Sequence, residues 1–295
     1  MFLSLRFIKF SFERQNLTNI SKNEHVKNKL ILLTNDDGIK SSGLNSLRDE
    51  LSKIANVVCF APAEASSAVS KALTFHKPIR FFPVTYDDGT TGYSTTGSPA
   101  DNVLVGFHVL KRKPDIVVSG INYGDNSSIH SILTSGTCAA AFEAYFNNVP
   151  AIAFSADLSE DSQMIDQRGI DFGKIAKISA EIVDAVLELD WPKDLAFLNV
   201  NYPKGISDET KVYITSPTLY KYDNFMVEKK DPRKLTYLWL WGKKKESFPE
   251  NTDTWAVVNQ NSISISPICL NLHHTTDSAS KLLNILQQQI KDNML

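Results

Sequence analysis

Asp36 and Asp37 stand side by side at the end of an apolar run, KLILLTNDDG. Two adjacent carboxylates repel, and neither ionises easily without a compensating charge. A hard divalent cation, Mg²⁺ or Mn²⁺, supplies that charge and takes oxygen ligands. Neutral oxygens from other strand ends would complete its shell, and Ser67 and Asn122 are placed for this. The expected site therefore holds one divalent cation on Asp36, Asp37, Ser67 and Asn122. Such a cation lowers the pKa of a bound water and makes it a nucleophile. Asp36 and Asp37 are then the catalytic pair, with Asp37 able to act as base if it is not committed to the metal. A second reading stays open, because Asp-Asp-Gly is also a common turn. Asp87-Asp88-Gly89 reads that way, as a hairpin turn between polar residues. A covalent aspartyl phosphate is the alternative chemistry, but the D-x-D spacing of haloacid-dehalogenase phosphatases is missing at this strand end.

Groups suited to phosphate lie nearby in the pattern. Ser135-Gly136-Thr137 opens an Ala-rich helix, and Gly97-Ser98 precedes another at Pro99. Free N–H groups and hydroxyls at a helix N-terminus can cradle an anion, although each stretch is equally a plain helix cap. Asn35 and Asn126 are further polar groups at strand ends and join the expected substrate contacts. His130 could protonate a leaving oxygen, or be a surface-loop histidine. Tyr123 and Phe225 could stack on a base or simply pack. His76, His273 and His274 read as structural.

These residues need a scaffold, and the hydrophobic pattern describes one. KLILLT is a buried strand; GLNSLRDELSKI puts Leu44, Leu47, Leu51 and Ile54 on one helical face; NVVCFAP is a second strand. SPADNVLVGFHVL reads as a helix with Ser98 as N-cap and Pro99 at its first position. DIVVSGIN is a strand, SGTCAAAFEAYF a helix, PAIAFS a strand and FGKIAKISAEIVDAVLEL a helix. Alternating β and α units with buried strands predict an α/β, Rossmann-like, doubly wound and mostly parallel sheet. Ligands of such sheets bind outside the carboxyl ends of the strands, where the acids fall. Beyond about residue 200, LAFLNVNYP, KVYITS, LTYLWLWG, WAVVNQ and SISISP are short β-like runs, read partly as further sheet strands and partly as a β-rich arm. Tyr237, Trp239 and Trp241 make that arm a sensible interface. Leu282, Ile285 and Ile290 approach helical spacing, and DLSEDSQMIDQRG reads as a surface loop. Residues 1–29 read as a disordered extension, and 30–295 as one domain: a core to about 200, then the arm and a terminal helix.

Bulk properties narrow the class. The chain has 295 residues, 42% hydrophobic and 22% charged, with a formal net charge of −2. That balance gives no basic field for nucleic acid. The cysteines, Cys59, Cys138 and Cys269, are scattered and form no zinc signature, which fits a reducing, cytoplasmic setting. The first 29 residues carry six Lys/Arg against two Glu. Arg6 and Lys9 interrupt any signal-peptide core, so this stretch reads as a loose extension rather than an amphipathic targeting peptide. No segment has the length and apolarity to span a membrane. A dinucleotide binder would carry G-x-G-x-x-G after the first strand, and NDDGIKSSG does not.

Taken in order, the strand with TNDDG, then AP…S, TGSPAD, SGIN, the SGT helix and PAIAFS resemble the SurE family of survival proteins, the 5′/3′-nucleotidases. TDTWAVVNQNSISISP resembles that family's C-terminal stretch. The resemblance runs from about Leu30 to at least Pro267. It implies a Rossmann-like core, a homodimer or homotetramer, and a divalent-metal-dependent phosphomonoesterase acting on nucleoside monophosphates. It also implies ligation through Asp36, Asp37, Ser67 and Asn122. The family loop resembling APDxxxSGAS is here APAEASSAVS: Ala68 replaces a glycine, and Ser66 competes with Ser67, which counting from Ala61-Pro62 selects. The stretch from Asn122 to Ser135 is a residue longer than the family's. A non-catalytic nucleotide- or phosphate-binding member of the same fold is the alternative.

Overall fold

The structure, a computed structural model, describes residues 28–157, 172–272, 280–281 and 283–287. The expected extension, except its last two residues, the DLSEDSQMIDQRG loop apart from its first residue, and His273, His274, Leu282 and Ile290 lie outside them. The uninterrupted apolar run at Lys29 forms β1 (Leu30–Thr34), buried along its whole length. Burial on both faces is what a central parallel strand requires. Next, α1 (Ser42–Leu51) starts where the Ser41 hydroxyl accepts from the Leu44 N–H, and it buries Leu44, Leu47 and Leu51. Ile54 falls beyond its end. β2 (Asn56–Pro62) returns parallel to β1.

A hairpin follows, β3 (Phe81–Thr85) and β4 (Thr91–Thr95). Its turn is the Asp87-Asp88-Gly89 segment, with Gly89 at a φ of 79°, a left-handed backbone that glycine adopts without steric cost. Asp88 accepts from the Arg48 guanidinium at 2.9 Å, tying the turn to α1. Then come α2 (Pro99–Leu110), β5 (Ile116–Tyr123), α3 (Ile129–Thr134), α4 (Gly136–Phe146), β6 (Ala151–Ala156), α5 (Phe172–Leu187) and β7 (Phe197–Tyr202). The chain continues through β8 (Val212–Ile214), β9 (Tyr222–Lys230), β10 (Thr236–Lys244) and β11 (Ile263–Ile268).

Nine strands form one sheet in the order β3-β4-β2-β1-β5-β6-β7-β11-β8. Only the β3–β4 and β7–β11 pairs are antiparallel. Helices α1 and α5 cover one face with Leu47, Leu51, Ile175 and Val183; the other face buries Val103, Cys138, Ala140 and Ala144 from α2 and α4. This is the expected doubly wound α/β architecture: α1 carries the chain from β1 to β2 on one side, and α2 carries it from β4 back to β5 on the other side of β1. Ligand crevices open at that reversal of strand order.

The later β-like runs divide between main sheet and arm, as the sequence suggested. KVYITS and SISISP supply β8 and β11 to the main sheet, leaving only β9 and β10 as a separate antiparallel ribbon. WAVVNQ is not a strand; Trp255–Asn259 form a short π-helix with Ala256 and Val257 buried. Its apolar run is too short for periodicity to separate strand from helix. Residues 280–281 and 283–287 are helical, in line with the expected terminal helix. Among the described residues no helix is long and apolar enough to cross a membrane.

Candidate active site at the carboxyl ends of the strands

Parallel pairing brings Thr34 of β1 level with Ser119 of β5, so the residues just beyond both strands share one crevice. Asp36 follows β1 there and is only 5% exposed. Its Oδ1 accepts a hydrogen bond from the Thr137 hydroxyl in the first turn of α4. Burial raises its pKa, while the Thr137 hydroxyl and the amides of Thr137 and Gly136 pull it back. Asp37 accepts from the Tyr123 N–H at 2.9 Å. Burial, and then the charge of Asp36, push it from 3.8 up to about 6. Among the described residues, no Lys, Arg or His forms an ion pair with either acid. A buried acid beside a half-buried one, with no cationic partner among the described residues, is an electrostatic deficit that a bound cation would relieve.

A cavity of about 810 Å³ opens beside the pair, and Asp36, Ser67, Asn122, Asn126 and Ser135 line it. Asn122 is aimed by an irregularity: the register of β5 against β6 shifts between Ser119 and Asn122, as at a bulge. Its amide nitrogen donates to the Gly124 carbonyl, which leaves its Oδ1 as an acceptor. Two acids and two neutral oxygens suit a hard cation. Among the described residues no group of three or more His, Cys, Asp or Glu gathers to hold a metal, so a softer, nitrogen- or sulfur-rich site has no basis there.

Other expected contacts take different places. Asn35 braces its own turn: its side chain accepts from the Gly38 N–H and donates to the Gly38 carbonyl and the Ser41 hydroxyl. Gly97 and Ser98 do not line the cavity. The Ser98 hydroxyl donates to the Ala72 carbonyl and accepts from the Asp101 N–H, and the Ser98 N–H donates to Asp101 in return. That reciprocal cap consumes the groups an anion would need. Asn126 lines the cavity, yet its N–H, carbonyl and amide nitrogen are engaged by Asn201, Asn199 and Ser155. His130 belongs to the short helix α3, not to a loop, and does not line the cavity.

Gly136 is where α4 meets the acid. A Cβ there would lie 2.8 Å from the Asp36 Cβ and 2.9 Å from its Oδ2, closer than side-chain carbons pack. Gly136→Ala is therefore expected to displace the Asp36 carboxylate. Activity at the site should fall about tenfold or more with a small change in thermal midpoint, checked by steady-state rates alongside calorimetry.

Four cavity residues escaped the sequence reading. Lys221, 3% exposed, donates to both the carbonyl and the carboxylate of Asp125. Lys244 pairs with Asp157 at 3.2 Å. Burial raises the Asp125 pKa, but the attraction of Lys221 outweighs it and leaves the group below its ordinary value. Asp157 moves up, through burial and the charge of Asp125, against the pull of Lys244. Both acids follow sheet strands, which is the signal that could have found them. The lysines flank the β9–β10 ribbon, 96 and 87 residues away from their partners, where no local pattern marks them. Asp253 likewise accepts from the backbone N–H groups of Ser128, Thr218 and Thr254. It fixes the loop that leads from Asn126 to α3.

A doubly wound α/β fold with a crevice at the switch point and two adjacent acids at its edge defines a Rossmann-like protein. The family model described as Survival protein SurE matches residues 31–224, and the chain belongs to that SurE family. It is 36% identical to the 5′-nucleotidase SurE of Methanocella arvoryzae over 246 residues, covering 82% of this chain and 92% of that one. The 5′-nucleotidase SurE of Methanoculleus marisnigri is 40% identical over 243 residues, 81% and 91% of the two chains. The crystal structure of the SurE protein from Aquifex aeolicus superposes with a TM-score of 0.72 at 34% identity, covering 88% and 99%.

Proposed function

We propose that this chain is a divalent-metal-dependent phosphomonoesterase that hydrolyses nucleoside monophosphates, 5′-nucleotides and also 3′-nucleotides. The carrying observation is the adjacent pair of buried Asp36 and half-buried Asp37, without a cationic partner among the described residues, with Asp36 lining a cavity of about 810 Å³. The nucleotidase names of its relatives supply the substrate class. Asp36, Asp37, Ser67 and Asn122 would hold one Mg²⁺ or Mn²⁺. When bound, that ion supplies an activated water and screens phosphate charge. Thr137 and Gly136 hold the Asp36 carboxylate in place from the N-terminus of α4. Ser135 and Asn126 line the cavity where phosphoryl oxygens would sit; the Ser135 hydroxyl, which accepts from the Cys138 N–H, keeps its proton to donate to developing negative charge, while Asn126 shapes the wall. A homodimer or homotetramer, and a cytoplasmic setting, complete the reading. Self-association is supported by Met226, Leu238 and Leu240, exposed on the β9–β10 ribbon.

Release of phosphate from a nucleoside monophosphate, measured with Mg²⁺ or Mn²⁺ and again with chelator, tests the proposal. The expected result is metal-stimulated turnover that Asp36→Ala reduces about 100-fold or more. Turnover indifferent to chelator, or an Asp36→Ala variant of full activity, overturns it.

A further inference from the structure

The β9–β10 ribbon forms one wall of the same cavity. Phe225 and Trp241 both line it, together with Asp36, Ser67 and Asn122. They are directly opposed in the ribbon's register, so they project from the same face. Each keeps about half of its surface open, 47% for Phe225 and 54% for Trp241. Among the described ring contacts neither is stacked on another aromatic side chain. Tyr237 and Trp239 share that ribbon face and are also exposed, but only Phe225 and Trp241 line the cavity, where their open planes can meet a planar ligand. The register sends Met226, Leu238 and Leu240 to the opposite face, so a second copy of the chain could cover those without competing for the cavity.

The ribbon is also pinned rather than free. The Lys221–Asp125 and Lys244–Asp157 pairs join both strands to the sheet at the ribbon's base, within the cavity wall. Anchored at both strands, it holds its aromatic face at a set distance from the acids, and recognition by stacking requires that pre-organisation.

We propose that Phe225 and Trp241 form a stacking platform for the nucleobase of the substrate, while the phosphate lies at the Asp36 end. The inference rests on the nucleotidase reading and extends it: selectivity for nucleotides over base-free sugar phosphates resides in the ribbon. Stacking tolerates any base because every base has a π-face, so the platform selects for a base without choosing among bases.

The test compares AMP with ribose 5-phosphate, which keeps the sugar and phosphate and lacks the base. The full-length wild type is expected to prefer AMP in kcat/KM by about tenfold or more. Phe225→Ala and Trp241→Ala should each erase most of that preference through KM, leaving ribose 5-phosphate turnover unchanged. Equal loss on both substrates, no preference in the wild type, or a loss that follows a changed oligomeric state by size exclusion overturns the platform. Tryptophan fluorescence gives a readout independent of turnover. AMP should quench it and ribose 5-phosphate should not, with the quench absent in Trp241→Phe and kept in Trp255→Phe. A protein that shows the quench but hydrolyses neither compound refutes the phosphatase reading alone. One that hydrolyses both equally and shows no quench refutes the platform alone.

Discussion

Asp37→Asn is expected to stabilise the metal-free protein at neutral pH while removing its metal-stimulated phosphate release. Burial and the neighbouring Asp36 raise the Asp37 pKa from 3.8 to about 6. Between those values the folded chain binds more protons than the unfolded one, so stability falls as pH rises through this window. Above it the deficit is constant. At ~1.4 kcal/mol per pH unit it is at most about 3 kcal/mol, and the part of Asp37 that solvent reaches lowers it. Asparagine carries no charge and keeps an oxygen to accept from the Tyr123 N–H. A gain of about 1–3 kcal/mol, or a few degrees in thermal midpoint, should appear at pH 7 and shrink toward pH 4. Activity should drop about 100-fold or more. Denaturation of chelated wild type and variant at both pH values checks this. Equal stability at pH 7 would mean that the acid pair carries no strain.

The second large effect concerns the ribbon's anchor. Lys221→Met leaves Asp125 buried and charged with its main partner gone. Breaking a buried pair from one side typically costs ~3–5 kcal/mol, and that loss is expected in chemical denaturation. Adding Asp125→Asn removes the stranded charge and should recover most of it, because a buried pair adds little net stability over a neutral replacement. A double variant as unstable as Lys221→Met would show that packing of the lysine stem, not charge, dominates. The single variant should also weaken AMP turnover more than ribose 5-phosphate turnover, since the platform depends on the anchor.

Much of the scaffold is legible in the residues alone. The runs LILLT, IVVSGIN and AIAFSA are short, largely apolar and bounded by turn residues, and their place in an alternating β-α order marks them as strands buried on both faces. Leu44, Leu47 and Leu51 recur at helical spacing, and Ser98-Pro99 marks a helix start through local cap chemistry. Where local chemistry was ambiguous the reading failed. WAVVNQ became a π-helix, and the sequence from Asn122 to Ser135, taken as a loop, contains α3. Ser98 and Asn35 illustrate a second kind of miss. Their hydroxyl and amide groups are as suited to ligands as to caps, and only the neighbours Asp101, Ala72, Gly38 and Ser41 decide between those uses.

The two adjacent acids at the end of a buried strand were determined by sequence, because neighbouring residues share a location whatever the fold. Their burial, the meeting of Asp36 with Thr137 and of Asp37 with Tyr123, and the elevated pKa values were decided by tertiary structure. Strand register and helix placement set those distances across 101 and 86 residues of chain. The ribbon followed the same division. Its aromatic residues were visible as composition, but their facing into the cavity depends on two ion pairs that close only when β5, β6, β9 and β10 converge. Contacts of that separation carry no local signature, since the chain between their partners imposes no spacing rule.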